Sequence, residues 1–177
     1  MGGVLALDPA TVIGWAHAEP GGGKPTWGHQ RLGRLGAETD EIAEALGLFL
    51  DARIDVLNPR YIVREDFYIG GGRVPMNPQT IYVLCGIAWQ IDLAARRRGI
   101  GCYKVQTSTM VRYFTGRGKY PDRAAKKRAT VRVCQFHGWT CTSDEADAIA
   151  LLCYAEAKLF PEMRLSMRRP AGPLFAR

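Results

Sequence analysis

Hydrophobic positions recur with two different periods along the chain, and the change falls near residue 38. Before it, apolar residues come in runs of strand length. The first, Val4–Asp8, is wholly apolar until it ends on a carboxylate, and Pro9 then has no N–H to give a ladder. Val12–Ala18 returns as a hairpin partner. Residues 19–25, Glu-Pro-Gly-Gly-Gly-Lys-Pro, compose a turn, and 26–32 reads as a third strand with Trp27, His29 and Arg31 on one face. Connections this short make the three strands an antiparallel meander.

From 38 to 57 the period becomes helical. Ile42, Ala45, Leu46, Phe49, Leu50 and Ile54 form one stripe, with Asp40, Glu41, Glu44 and Asp51 on the other side, until Asn58-Pro59 stops it. Residues 61–68 form a fourth strand that again runs into acids, Glu65 and Asp66. The loop Gly70-Gly71-Gly72-Arg73 follows. Asn77-Pro78 opens a helix over 78–98 that buries Ile81, Leu84, Cys85, Ala88, Ile91 and Ala95. Arg96, Arg97 and Arg98 suit the negative end of its dipole, before Gly99. Residues 100–105 make a fifth strand, and Thr107 or Ser108 caps a short helix through Met110, Val111 and Phe114. After the basic loop 115–121 comes a helix over 122–137 with Ala125, Ala129, Val133 and Phe136 as its core stripe. A last helix runs from Thr142 to about residue 160. Strands first, then strands alternating with helices, define an α/β fold with a five-stranded mixed sheet flanked by helices. Residues 1–160 form one domain; 161–177 form a basic tail that its composition predicts to be poorly ordered.

Composition narrows the partners. The 177 residues carry a net charge of +7, which makes nucleic acid the first candidate. Five scattered cysteines without a Cys-x-x-Cys pair, and three distant histidines, predict neither a zinc site nor a disulfide framework, and free thiols fit a cytoplasmic location. Neither a signal peptide nor an apolar run of membrane length is read from the sequence.

The chemistry lies in the acids at element ends. Asp8 ends the first strand, Glu65 or Asp66 the fourth, and Asp144 and Asp147 share one face of the last helix's first turn. Each has a structural reading: Asp8 as a turn opener, Asp144 as a first-turn residue beside the Thr142-x-x-Glu145 capping box. Asp147 is harder to place structurally, because Ala148, Ile149, Ala150, Leu151 and Leu152 follow it directly. Four acids brought together need a cation, and hard oxygen ligands suit Mg²⁺ or Mn²⁺.

Four stretches in order carry a likeness: Leu7-Asp8-Pro9-Ala10-Thr11 with Gly14-Trp15-Ala16, Glu65 with Tyr68, Thr115-Gly116-Arg117-Gly118 with Arg123-Ala124-Ala125-Lys126, and Asp144-Glu145-Ala146-Asp147-Ala148. Together they resemble the RuvC family of Holliday-junction resolvases, within the RNase H-like superfamily, over residues 4–157, and the chain looks like a phage-encoded member. The resemblance selects Glu65 over Asp66. It implies a Mg²⁺-dependent endonuclease, with Mn²⁺ as a substitute and two ions held by Asp8, Glu65, Asp144 and Asp147. It further implies a homodimer through the helix 78–98 that nicks four-way DNA junctions in pairs. Lys126 would stabilise charge on the phosphate, Tyr68 would stack on a base, and Arg73, Arg117, Lys119 and Arg123 would contact phosphates. Ala10 replaces the family's usual glycine, residues 119–122 are extra, and the loop 70–72 differs, which bears on junction preference. The alternatives are an RNase H-like nuclease for flaps, forks or RNA–DNA hybrids, a non-catalytic branched-DNA binder, and an actin-like phosphotransferase. The last would need two domains of this size.

Overall fold

Both faces of β1 (Val4–Asp8) are apolar, so the strand can be covered on both sides, and it lies at the centre of the sheet. The computed structural model describes residues 2–21, 23–66 and 77–160. Beside β1 lie β2 (Val12–Ala18) and then β3 (Thr26–Arg31), both antiparallel to their neighbours. On its other side lie β4 (Tyr61–Asp66) and then β5 (Gly101–Gln106), both parallel. The order is β3-β2-β1-β4-β5, the mixed sheet the alternation predicts.

The strand period of two divides the core. Leu5, Leu7, Ile13 and Ile62 pack against α1 (Thr39–Leu57) and α2 (Pro78–Arg97). Val4, Ala6, Ala16 and Val63 pack against α5 (Ser143–Leu159), flanked by α3 (Thr107–Thr115) and α4 (Arg123–Phe136). α5 is buried at Ala146 through Cys153 because it lies across β1 and β2 and is itself covered by α3 and α4. The predicted capping box starts it: Thr142 Oγ1 accepts from Glu145 N–H (3.4 Å), and Thr142 N–H donates to Glu145 Oε2 (2.7 Å).

Three expectations are corrected. β5 runs to Gln106, which occupies the N-cap position of α3 without a side-chain bond, so neither Thr107 nor Ser108 is the cap. On α2 the fully buried positions are Ile87, Ala88, Ile91 and Ala95, whereas Ile81, Leu84 and Cys85 are half-buried. On α4 the buried residues are Thr130 and Cys134; Ala125, Ala129 and Val133 are half-buried and Phe136 is 49 % exposed. Thr130 can face inward because its hydroxyl donates to Lys126 O at 3.1 Å, which removes the cost of burying it. The apolar stripe of α4 therefore flanks the buried line of Thr130 and Cys134, with Val133 packed at the edge of the core and Phe136 turned outward. Residues 161–177 lie outside the described residues, and no described helix is long and apolar enough to cross a membrane.

Candidate active site

The last β1–β4 rung pairs Leu7 with Arg64. Asp8 and Glu65 stand one residue beyond it on each strand and share the α5 face with Ala6 and Val63. Pro9 keeps the ladder from continuing, so the carboxylates extend past its end. The same parity sends Asp66 to the other face, where it is half-exposed and 3.7 Å from Arg64. The first turn of α5 completes the arrangement. Gly14 on β2 is required there: a Cβ at that position would sit 2.2 Å from Asp144 O, so only glycine lets the strand and the helix start approach this closely.

Electrostatics show how tightly these acids are grouped. The Asp8 carboxyl is pushed well above its usual range, first by burial and then by the charges of Glu65, Asp147 and Asp144. Asp147, 3 % exposed, is also raised by burial, with Lys126 and Lys127 opposing and Glu65 and Asp144 adding to the shift. Its Oδ1 is buried with no hydrogen-bond partner. Glu65 accepts a hydrogen bond from the Thr107 hydroxyl. Asp144 is held differently: Lys127 Nζ lies 2.7 Å from its Oδ1 and 3.2 Å from Ser143 Oγ.

Such a group fits a hard divalent cation. It offers several carboxylate oxygens from three elements, burial and the neighbouring acids raise Asp8 and Asp147, and one buried oxygen is left unsatisfied. As the side chains stand, no three His, Cys, Asp or Glu among the described residues form a closed ligand set, and Asp144 is turned to Lys127.

Asp8, Glu65, Asp144, Asp147 and Lys126 are thus brought together. Arg117, Lys119 and Arg123 are not part of this group: all three are exposed, Arg117 and Lys119 on a basic groove of about 820 Å³ with Ser108, Arg112 and Tyr113. Tyr68 and Arg73 lie outside the described residues. Sequence reasoning missed Lys127, Ser143 and Thr107. Lys126 and Lys127 are adjacent on one helix, and charge alone does not say which reaches Asp144. Thr107 reads as a cap because it opens a helix, while its hydroxyl is engaged across the β4–β5 ladder. His29 Nδ1, on the β3 face singled out by its alternation, lies 2.8 Å from Glu145 Oε1 and ties the meander to the start of α5.

Known structures share this architecture. Thermus thermophilus RuvC in complex with Holliday junction substrate superposes with a TM-score of 0.66 at 13 % identity, covering 90 % of this chain and 96 % of that one. A second Thermus thermophilus RuvC structure gives 0.65 at 15 %, with the same coverage. The yeast mitochondrial Holliday junction resolvase Ydc2 gives 0.57 at 12 %, covering 89 % of this chain and 80 % of that one. No protein-family model matches the sequence, and no curated protein matches it. The chain therefore has the RNase H-like fold expected from its motifs, the fold of these resolvases.

Proposed function

We propose that the protein is a divalent-metal-dependent endonuclease that resolves four-way DNA junctions or closely related branched DNA. The observation that carries this reading is the grouping of Asp8, Glu65 and Asp147, from β1, β4 and α5, around an unsatisfied buried oxygen. A net charge of +7 and a fold shared with a junction-bound resolvase support DNA as the substrate.

Asp8, Glu65 and Asp147 would hold Mg²⁺, with Mn²⁺ as a substitute and Asp144 joining a second ion. Bound there, two such ions supply Lewis-acid activation of the attacking water and of the leaving oxygen of a phosphodiester. The chain's own groups do the rest. Thr107 fixes the Glu65 carboxylate by its hydroxyl. Burial of Asp147 excludes bulk water from one side of the centre and strengthens every charge interaction there. Lys126 sets a positive charge beside Asp147, where it would offset charge developing on the phosphate. Lys127 pairs with Asp144, which would turn from that lysine to help hold an ion. Arg117, Lys119 and Arg123, exposed outside the centre, would contact phosphates; the family resemblance gives Arg73 the same task and Tyr68 the stacking of a base, both outside the described residues.

The active unit is a homodimer through α2. This helix leaves Tyr82 (64 %), Trp89 (72 %) and Leu93 (45 %) exposed, a large apolar face for a helix already packed on α1. Two copies would supply the paired nicks.

Labelled four-way junctions, forks, flaps and RNA–DNA hybrids, each with Mg²⁺ and with EDTA, test the reading. We expect Mg²⁺-dependent cutting, strongest on the four-way junction, and its loss in Asp8→Asn with binding retained. Cutting by Asp8→Asn at the wild-type rate would remove the assignment of the centre. Preference for flaps or hybrids would move the substrate to another RNase H-like class.

A further inference from the structure

The apolar stripe of α4 borders a groove of about 720 Å³. Ala125, Ala129, Val133 and Phe136 line it from α4, and Tyr120 and Pro121 from the loop before α4. Arg117, Arg128 and Arg132 line it too, and no acid does.

The loop wall is built rather than incidental. Thr115 Oγ1 accepts a hydrogen bond from Tyr120 Oη at 2.7 Å and lies 2.7 Å from Val111 O and 3.0 Å from Arg117 O. Gly116 turns the chain at φ 76°, and the Arg117 guanidinium lies over the Tyr120 ring, 5.5 Å from its centroid. The Thr-Gly-Arg-Gly motif thus fixes an aromatic ring and a cation at one wall of the groove, with Phe136 and two arginines along the other.

We propose that this groove binds an unpaired strand of DNA, at a site separate from the acidic centre. Cations beside the half-exposed Phe136 ring match a polyanion whose bases are free to stack; a duplex keeps its base faces covered. Charge excludes the chain's own residues 161–177 as the occupant, since they bring Arg164, Arg168, Arg169 and Arg177 against one acid, Glu162. The choice of DNA over RNA rests on the function proposed above; the groove does not. Branched DNA that exposes unpaired bases near its crossover would supply such a strand while the centre holds a paired arm.

Fluorescence anisotropy with a labelled oligothymidylate, in EDTA so that nothing is cut, tests this. Arg128→Ala/Arg132→Ala should weaken binding at least about tenfold and flatten the plot of log affinity against log salt by about 1.4, two phosphate contacts on a single strand. Phe136→Leu should leave that slope unchanged and reduce the quenching of a 2-aminopurine placed in the strand. Unchanged melting temperatures verify that these exposed positions have not disturbed the fold. Wild-type affinity and slope in the double arginine variant would overturn the proposal, as would full competition by a duplex of the same length. Neither result depends on cleavage, so the groove and the acidic centre stand or fall separately.

Discussion

β4 carries two neighbouring charges into opposite halves of the molecule, and they meet opposite surroundings. Arg64, 4 % exposed, points toward α2 and is fully matched: its Nε and Nη2 donate to the two Asp92 oxygens at 2.8 and 3.0 Å, and its Nη1 to Glu65 O at 3.1 Å. Lys104 reaches the same Asp92 at 3.1 Å, and the Cys102 thiol lies 3.4 Å from it. Asp92 is held down at about 2, chiefly by its bond from Arg64. Glu65, one residue on, points toward α5, where its charge helps raise Asp8 and Asp147, the latter with an unpartnered oxygen. The same strand thus has a closely paired cluster on one face and, on the other, acids that Lys126 and Lys127 offset only in part. Buried charge is tolerable when paired. Where it lacks a partner, as at Asp147 Oδ1, a positive group brought to it would be bound strongly.

The contrast breaks most sharply at Asp147. Asp147→Asn should lower junction cleavage about a thousandfold or more in single-turnover assays, the several kcal/mol that metal activation supplies. Anisotropy in EDTA should show the junction still bound. On the other face, Arg64→Ala leaves Asp92 without its main partner and should cost about 3–5 kcal/mol, lowering the melting temperature by roughly 10 °C. Removing a charge from the acidic face should do the reverse. Asp8→Asn relieves burial and like-charge repulsion, and should raise metal-free stability at neutral pH by about 1 kcal/mol in urea titration, while abolishing stabilisation by Mg²⁺. The pH dependence carries the same sign difference. Asp92, depressed when folded, contributes stability above about pH 4 that is lost as pH falls toward 2. Asp8 and Asp147, raised when folded, favour the folded state as pH falls from neutral toward about 4. Thermal melts without metal should therefore pass through an acidic maximum that Asp8→Asn flattens and Asp92→Asn shifts to lower pH. The smallest effect is expected at Lys127→Met, whose partly exposed pair with Asp144 contributes under about 1 kcal/mol.

Much of the fold and of the acidic centre is legible in the sequence. Apolar runs ending in acids place β1 and β4, and the i, i+3 spacing places Asp144 and Asp147 on one helix face. Which acid of the Glu65–Asp66 pair joins the centre depends on which face α5 covers, a fact of tertiary packing that strand parity does not contain. The α4 stripe misleads for a related reason. Helical period marks an apolar face but not the side against which a neighbouring helix lies, and a self-satisfied Thr130 takes the inner position. Arg64 and Asp92 are legible as charges on a strand and a helix, but their pairing joins residues on separate elements.

The chain order of the three acid-bearing elements sets when the centre can exist. Asp8 lies on the first strand and Asp147 on the last helix, with the parallel β1–β4 pairing formed in between. During synthesis roughly ten to thirty seconds separate the two residues at ordinary elongation rates. Until then a nascent chain can present basic loops to DNA but has no complete set of carboxylates. The cutting activity proposed for this centre would need β1, β4 and α5 together, so a product that stops short of α5 should lack it.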